Sequence, residues 1–203
     1  MIKKLDNGAL RFSIFPTLVY GMDCSDLLDD VLDIFKKVNW KDQTDAKGLS
    51  VSDDSYILNN NKKLVEKLEF RVNECLSEIE YTAPLKMTTS WFTRLRDGGD
   101  IVEHHHVNAF WSAVFYPFSE GCSSLTFLKN LTPINVPSNT LNPDLIMEGD
   151  VSFPIERGRL IIFPASLKHS VRMNDSGNDR NSLAMNFMPY GNCGTLDSQY
   201  HYR

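Results

Sequence analysis

The stretch that decides the fold is Ala109-Phe110-Trp111-Ser112-Ala113-Val114-Phe115-Tyr116-Pro117-Phe118, with Gly158-Arg159-Leu160-Ile161-Ile162-Phe163-Pro164 some forty residues later. Both are short apolar or aromatic runs closed by proline, which reads as buried β-strand rather than helix. Working outward, Thr88–Arg94 alternates and is rich in threonine and aromatics. Asp97-Gly98-Gly99-Asp100 is a turn, and Ser124–Leu128, Ser170–Met173 and Leu183–Met188 are further short strands. Many short strands punctuated by Gly, Pro and Asn point to a sandwich or barrel. Residues 130–152, rich in Asn, Pro and Ser, form a long loop of the kind that often serves a site, here a substrate lid.

Before residue 82 the periodicity is helical. Ser25 or Asp26 can cap a helix carrying Leu27, Leu28, Val31, Leu32, Phe35 and Val38 on one face. Asn59–Asn61 can start a second, with Leu64, Val65, Leu68, Val72, Leu76 and Ile79 as its buried stripe. Two such helices need a surface to cover. The expectation is one α+β domain over 1–203: a mainly helical part (1–82), a jelly-roll core (83–190) with the helices on one face, and a tail (191–203).

Composition narrows the class. The chain has 203 residues, 42% of them hydrophobic, including 12 Phe, 7 Tyr and 3 Trp, which supply a core and exclude disorder. A net charge of −5 argues against general nucleic-acid binding, which needs a basic footprint. No apolar run approaches a membrane span, and Met1–Asp6 lacks the apolar stretch of a signal peptide, so a cytoplasmic protein is expected. Cys24, Cys75, Cys122 and Cys193 form no C-x-x-C pair and read as reduced thiols.

The chemistry concentrates in the histidines. Three of five are consecutive, His104-His105-His106; the others are His169 and His201. In an extended segment His104 and His106 share a face, with Glu103 and His105 on the other. Two imidazoles so placed are half a divalent-metal site or, equally, a polar strand end. His169, just past an apolar strand, can close a three-ligand site with positions left open. His201, in the polar tail, is structural or disordered. Arg180 and Ser182 share a face of the next strand; the arginine can grip a carboxylate or can be a plain surface residue.

Read in order, Trp91-Phe92, His104-x-His106-x-Asn108, Ser112-Ala113-Val114-Phe115-Tyr116, Gly158–Pro164, His169 and Arg180-x-Ser182 resemble the 2-oxoglutarate/Fe(II)-dependent dioxygenase superfamily. More narrowly they resemble a branch of 2OG-Fe(II) oxygenases common in bacteria and their phages. The resemblance spans about residues 88–190 and implies a double-stranded β-helix with iron at its open end. It implies His104, His106 and His169 as metal ligands, and Arg180 with Ser182 on the far carboxylate of 2-oxoglutarate. It further implies a hydroxylase that converts 2-oxoglutarate to succinate, acting on a small-molecule or peptidyl substrate. Trp91, Asn108, Tyr116 and Asn186 are secondary candidates. Two departures stand out: His106 fills the slot of an Asp or Glu, leaving the site one unit more positive, and Val107 replaces the branch's usual Pro. The competing expectations are a three-histidine cupin-type enzyme without 2-oxoglutarate, for which an exposed Arg180 would speak, and a non-enzymatic jelly-roll binding or virion module.

Overall fold

The structure is a computed structural model. It describes residues 2–4, 10–12, 17–79, 83–119, 123–128 and 150–202, with side chains from residue 17 onward. Strands are numbered in chain order. The large antiparallel sheet runs β3 (Tyr20–Asp23), β11 (Arg159–Pro164), β8 (Trp111–Phe115), β13 (Arg180–Pro189), β6 (Leu85–Leu95), β5 (Leu49–Ser52), β4 (Trp40–Asp42). The small sheet runs β10 (Val151–Phe153), β9 (Leu125–Phe127), β12 (His169–Val171), β7 (Ile101–His104). This is the jelly-roll, double-stranded β-helix fold, with helices α1 (Leu28–Phe35) and α2 (Lys62–Leu76).

The helices cover the outer face of the large sheet. Leu64, Leu68, Val72 and Leu76, one per turn of α2, share a core with Leu27 and Val31 and with Phe92, Phe115, Leu160, Leu183 and Phe187 of the sheet. The inner face meets the small sheet through a second core containing Val114, Tyr116, Leu125, Phe127, Ile161, Phe163 and Val171. Covered on both sides, β8 is buried at all five positions, which explains its unbroken apolar sequence.

Several expectations are corrected. Residues 20–52 are not mainly helical: they supply β3, β4 and β5 to the large sheet. Periodicity missed β5 because its buried positions are Ser50 and Ser52. Their hydroxyls are satisfied by Asp42 Oδ1 (2.6 Å) and by the Asp54 carbonyl (2.8 Å). Neither Ser25 nor Asp26 caps α1. A 3₁₀ turn over Ser25–Leu27 precedes the helix, and Ser25 donates its N–H and hydroxyl back to Asp23 Oδ1. Ile79 lies beyond α2 and is exposed, and residues 191–202 form a hairpin of β14 (Gly191–Cys193) and β15 (Tyr200–Tyr202) rather than a loose tail. A separate hairpin joins β1 (Ile2–Lys4) and β2 (Leu10–Phe12). Cys24, Cys75 and Cys193 are free thiols. Cys122 and most of the expected lid, residues 130–149, lie outside the described residues. Among the described residues no helix is long and apolar enough to cross a membrane.

Candidate metal and co-substrate site

Strand pairing assembles the histidines. His104, the last residue of β7, pairs with His169, the first of β12, and their rings lie 4.2 Å apart. The chain then leaves β7, and the His106 N–H bonds the Ala165 carbonyl at 2.9 Å, which fixes its backbone at the end of β11. The His106 ring lies 5.1 Å from that of His169 and 5.6 Å from that of His104. One ligand nitrogen from each of the three falls within 4.8 Å of the others. His105 is exposed, and Glu103 turns away to pair with Lys168. The expected alternation therefore holds.

Each imidazole is held in one tautomer. His104 Nδ1 lies 2.9 Å from the Val102 carbonyl and His169 Nδ1 2.9 Å from the Leu167 carbonyl. A carbonyl only accepts, so Nδ1 carries the proton and Nε2 keeps its lone pair. His106 Nδ1 lies 2.6 Å from Asn186 Oδ1. Burial holds the charged form off: His169 is pushed down to about 3, and burial likewise lowers His106. Neutral imidazoles with free Nε2 atoms are what a divalent metal requires, so this donor set fits one.

The three rings border a cavity of about 130 Å³ between the sheets. Arg180 and Ser182 line it from β13, with Trp91 and Thr93 from β6 and Val114 from β8. Arg180 is only 2% exposed. Its Nε donates to the Ser123 carbonyl (3.1 Å), Nη2 to Tyr116 Oη (3.1 Å) and Nη1 to Ser182 Oγ (3.4 Å). Among the described residues no carboxylate pairs with it, and none lines the cavity. A buried, unpaired guanidinium facing a small cavity calls for an anion. A larger open groove of about 720 Å³ runs between α1 and the start of α2, but it holds Lys, Asn and Asp side chains and none of these residues.

Residues 89–186 match the model of a family described as "Putative 2OG-Fe(II) oxygenase". The matched segment runs from β6 through the histidines and Arg180 to Asn186. Over these residues the chain matches the 2-oxoglutarate/Fe(II) oxygenase family. The chain matches no curated protein sequence. Its fold is similar to an oxidoreductase of the 2OG-Fe(II) oxygenase family from Burkholderia pseudomallei (12% identity, TM-score 0.60, 83% of each chain). It is also similar to HygX from Streptomyces hygroscopicus, solved with nickel and 2-oxoglutarate bound (12%, TM-score 0.58, 85% of this chain and 83% of that one). A third likeness is to a Pseudomonas putida prolyl-4-hydroxylase (12%, TM-score 0.54, 85% and 93%). At such identity these likenesses establish the fold. The family match supports a 2-oxoglutarate-dependent iron dioxygenase, and the three imidazoles and the unpaired arginine fit iron and 2-oxoglutarate.

Of the secondary candidates, Trp91 borders the cavity with its ring 5.6 Å from that of His106, Tyr116 supports Arg180, and Asn186 holds His106. Asn108 is not part of the site: it is exposed and turns the chain with φ 55°, a conformation asparagine tolerates. His201 is exposed and bonds Asn192 across the β14–β15 hairpin. Sequence reading missed two residues. Ser112 Oγ lies 2.8 Å from both His106 Nδ1 and Asn186 Oδ1, and Thr93 Oγ1 lies 2.6 Å from Ser182 Oγ. The available signal for Ser112 was a lone hydroxyl inside the apolar run Trp111–Phe115.

Proposed function

We propose that this oxygenase is a hydroxylase in which His104, His106 and His169 hold the iron and Arg180, with Ser182, receives the far carboxylate of 2-oxoglutarate. The carrying observation is the buried Arg180, which has no carboxylate partner among the described residues and shares one small cavity with the three imidazoles. When bound, iron and 2-oxoglutarate would supply the oxidising chemistry with dioxygen as oxidant, one oxygen atom ending in succinate, formed with carbon dioxide, and the other in the hydroxylated product. The chain supplies the rest. Arg180 places two donors on one carboxylate, and its own bonds to Tyr116 and the Ser123 carbonyl keep the guanidinium from turning. Ser182, itself fixed by Thr93, offers a hydroxyl beside it. The apolar wall of Val51, Val114, Leu125 and Val171 keeps water out and strengthens the charge pairing. The three imidazoles would hold the metal through their Nε2 atoms.

The prime substrate is a small molecule or a peptidyl side chain; of the proteins similar in fold, HygX has been solved with hygromycin B bound and another is a prolyl-4-hydroxylase. A three-histidine enzyme without 2-oxoglutarate would leave Arg180 as an uncompensated charge, and the burial of that residue speaks against it.

The test is succinate release from 2-oxoglutarate. The wild type supplied with Fe(II) and oxygen is expected to form succinate slowly without prime substrate, and His169→Ala is expected to form none. Equal rates in the two proteins would refute the assignment.

A further inference from the structure

The three imidazoles are not held alike. His104 and His169 each give their Nδ1 proton to a backbone carbonyl two residues earlier, an acceptor no side-chain replacement removes. His106 has no such carbonyl. Its Nδ1 faces a side chain from another strand, Asn186 Oδ1, at 2.6 Å.

We propose that Asn186, braced by Ser112, is the positioning residue that makes His106 a metal donor, by accepting its Nδ1 proton and so leaving the Nε2 lone pair for the metal. The inference rests on the metal site proposed above.

The geometry is specific. Asn186 of β13 and Ser112 of β8 are directly paired in register. The Ser112 hydroxyl donates to Asn186 Oδ1 at 2.8 Å. The amide presents its oxygen to both the hydroxyl and the ring. With the serine proton spent there, the remaining proton of the triangle sits on His106 Nδ1. The main chain is held as well: Thr88 Oγ1 donates to the Asn186 carbonyl (3.2 Å), next to the irregularity in β6–β13 pairing between Asn186 and Phe187. Ser112 is fully buried inside an apolar strand, where an unbonded hydroxyl is costly. Without Asn186 the serine proton would turn to Nδ1. The ring would then carry its own proton on Nε2, facing His104 and His169, and could not bind a metal. The asparagine therefore selects between a donor and a blocked site.

Two readouts test this. Long-range ¹H–¹⁵N spectra of the metal-free protein, taken where the imidazoles are neutral, are expected to show His106 protonated at Nδ1 in the wild type and at Nε2 in Asn186→Leu. Co(II) titration, followed by visible absorption, is expected to show 10–100-fold weaker binding for Asn186→Leu. Asn186→Asp, which keeps an acceptor oxygen, should restore binding to within a few-fold. In a His106→Ala background, Asn186→Leu should change nothing further, because there is no ring to orient. Should Asn186→Leu fail to fold, Asn186→Asp and Ser112→Ala in the same spectra decide the matter: the Nδ1 tautomer is expected in both, and an Nε2 tautomer in either overturns the proposal. An unchanged tautomer and Co(II) affinity in folded Asn186→Leu, or an equal loss in the His106→Ala background, also overturns it while leaving the metal site standing. A wild type that binds no Co(II) overturns the metal site and this inference together.

Discussion

The two faces of β13 carry opposite chemistry on one run of ten residues. Leu183, Met185 and Phe187 point outward into the helix-covered core and are fully buried among apolar side chains. Arg180, Ser182 and Ala184 point inward and line the cavity, while Asn186, of the same parity, reaches His106. The alternation of a strand thus separates what holds the sheet to its helices from what borders the cavity and the histidines. It also explains why the site tolerates buried polar groups. They are collected on one side, where the bonds between Thr93 and Ser182 and among Ser112, His106 and Asn186 satisfy them.

Substitutions on the two faces should separate accordingly. The largest effect is expected from Phe187→Ala, an outer-face truncation in a closed core, at about 3–5 kcal/mol of stability. Urea unfolding measures it. A cost below about 1 kcal/mol would mean that the helix layer does not depend on this face.

Next comes Arg180→Ala on the inner face. It should weaken 2-oxoglutarate binding by more than about tenfold, since a hydrogen bond to a charged group is worth roughly 1.5–3 kcal/mol. Calorimetric titration reads it directly, and an unchanged affinity would place the carboxylate elsewhere. Ser182→Ala removes one neutral donor, and a smaller loss of about 0.5–1.5 kcal/mol in the same titration is expected. A loss equal to that of Arg180→Ala would break the ranking of the two residues.

The smallest effect is graded with pH. Burial holds His169 near 3 and lowers His106, whereas the unfolded chain takes up protons on both near 6.5. The metal-free protein should therefore lose stability as pH falls through 6.5 towards 3, by under about 1 kcal/mol per group between pH 7 and 6. Unfolding midpoints at the two pH values check the sign. A gain on acidification would mean the imidazoles are charged in the folded state.

Much of this was legible in the sequence because the site is built on parity. His104, His106 and His169, and Arg180 with Ser182, are fixed relative to one another by the period of two and by strands whose apolar runs announce themselves. What escaped has physical causes. β4 and β5 were hidden because β5 buries serines rather than apolar residues, which reverses the pattern that marks a strand. Ser112 was hidden because one hydroxyl in an apolar strand looks like noise until Asn186 is placed opposite it. Asn108 was overvalued because its neighbours in the motif are functional, although the chain uses it only to turn.

The most direct test of the account is anaerobic titration of the Fe(II)-loaded protein with 2-oxoglutarate, followed by the weak visible charge-transfer band of a bound chelate. The account predicts a saturable band in the wild type, none in His169→Ala, and one that needs far more 2-oxoglutarate in Arg180→Ala. Iron bound with no band at any concentration would contradict it.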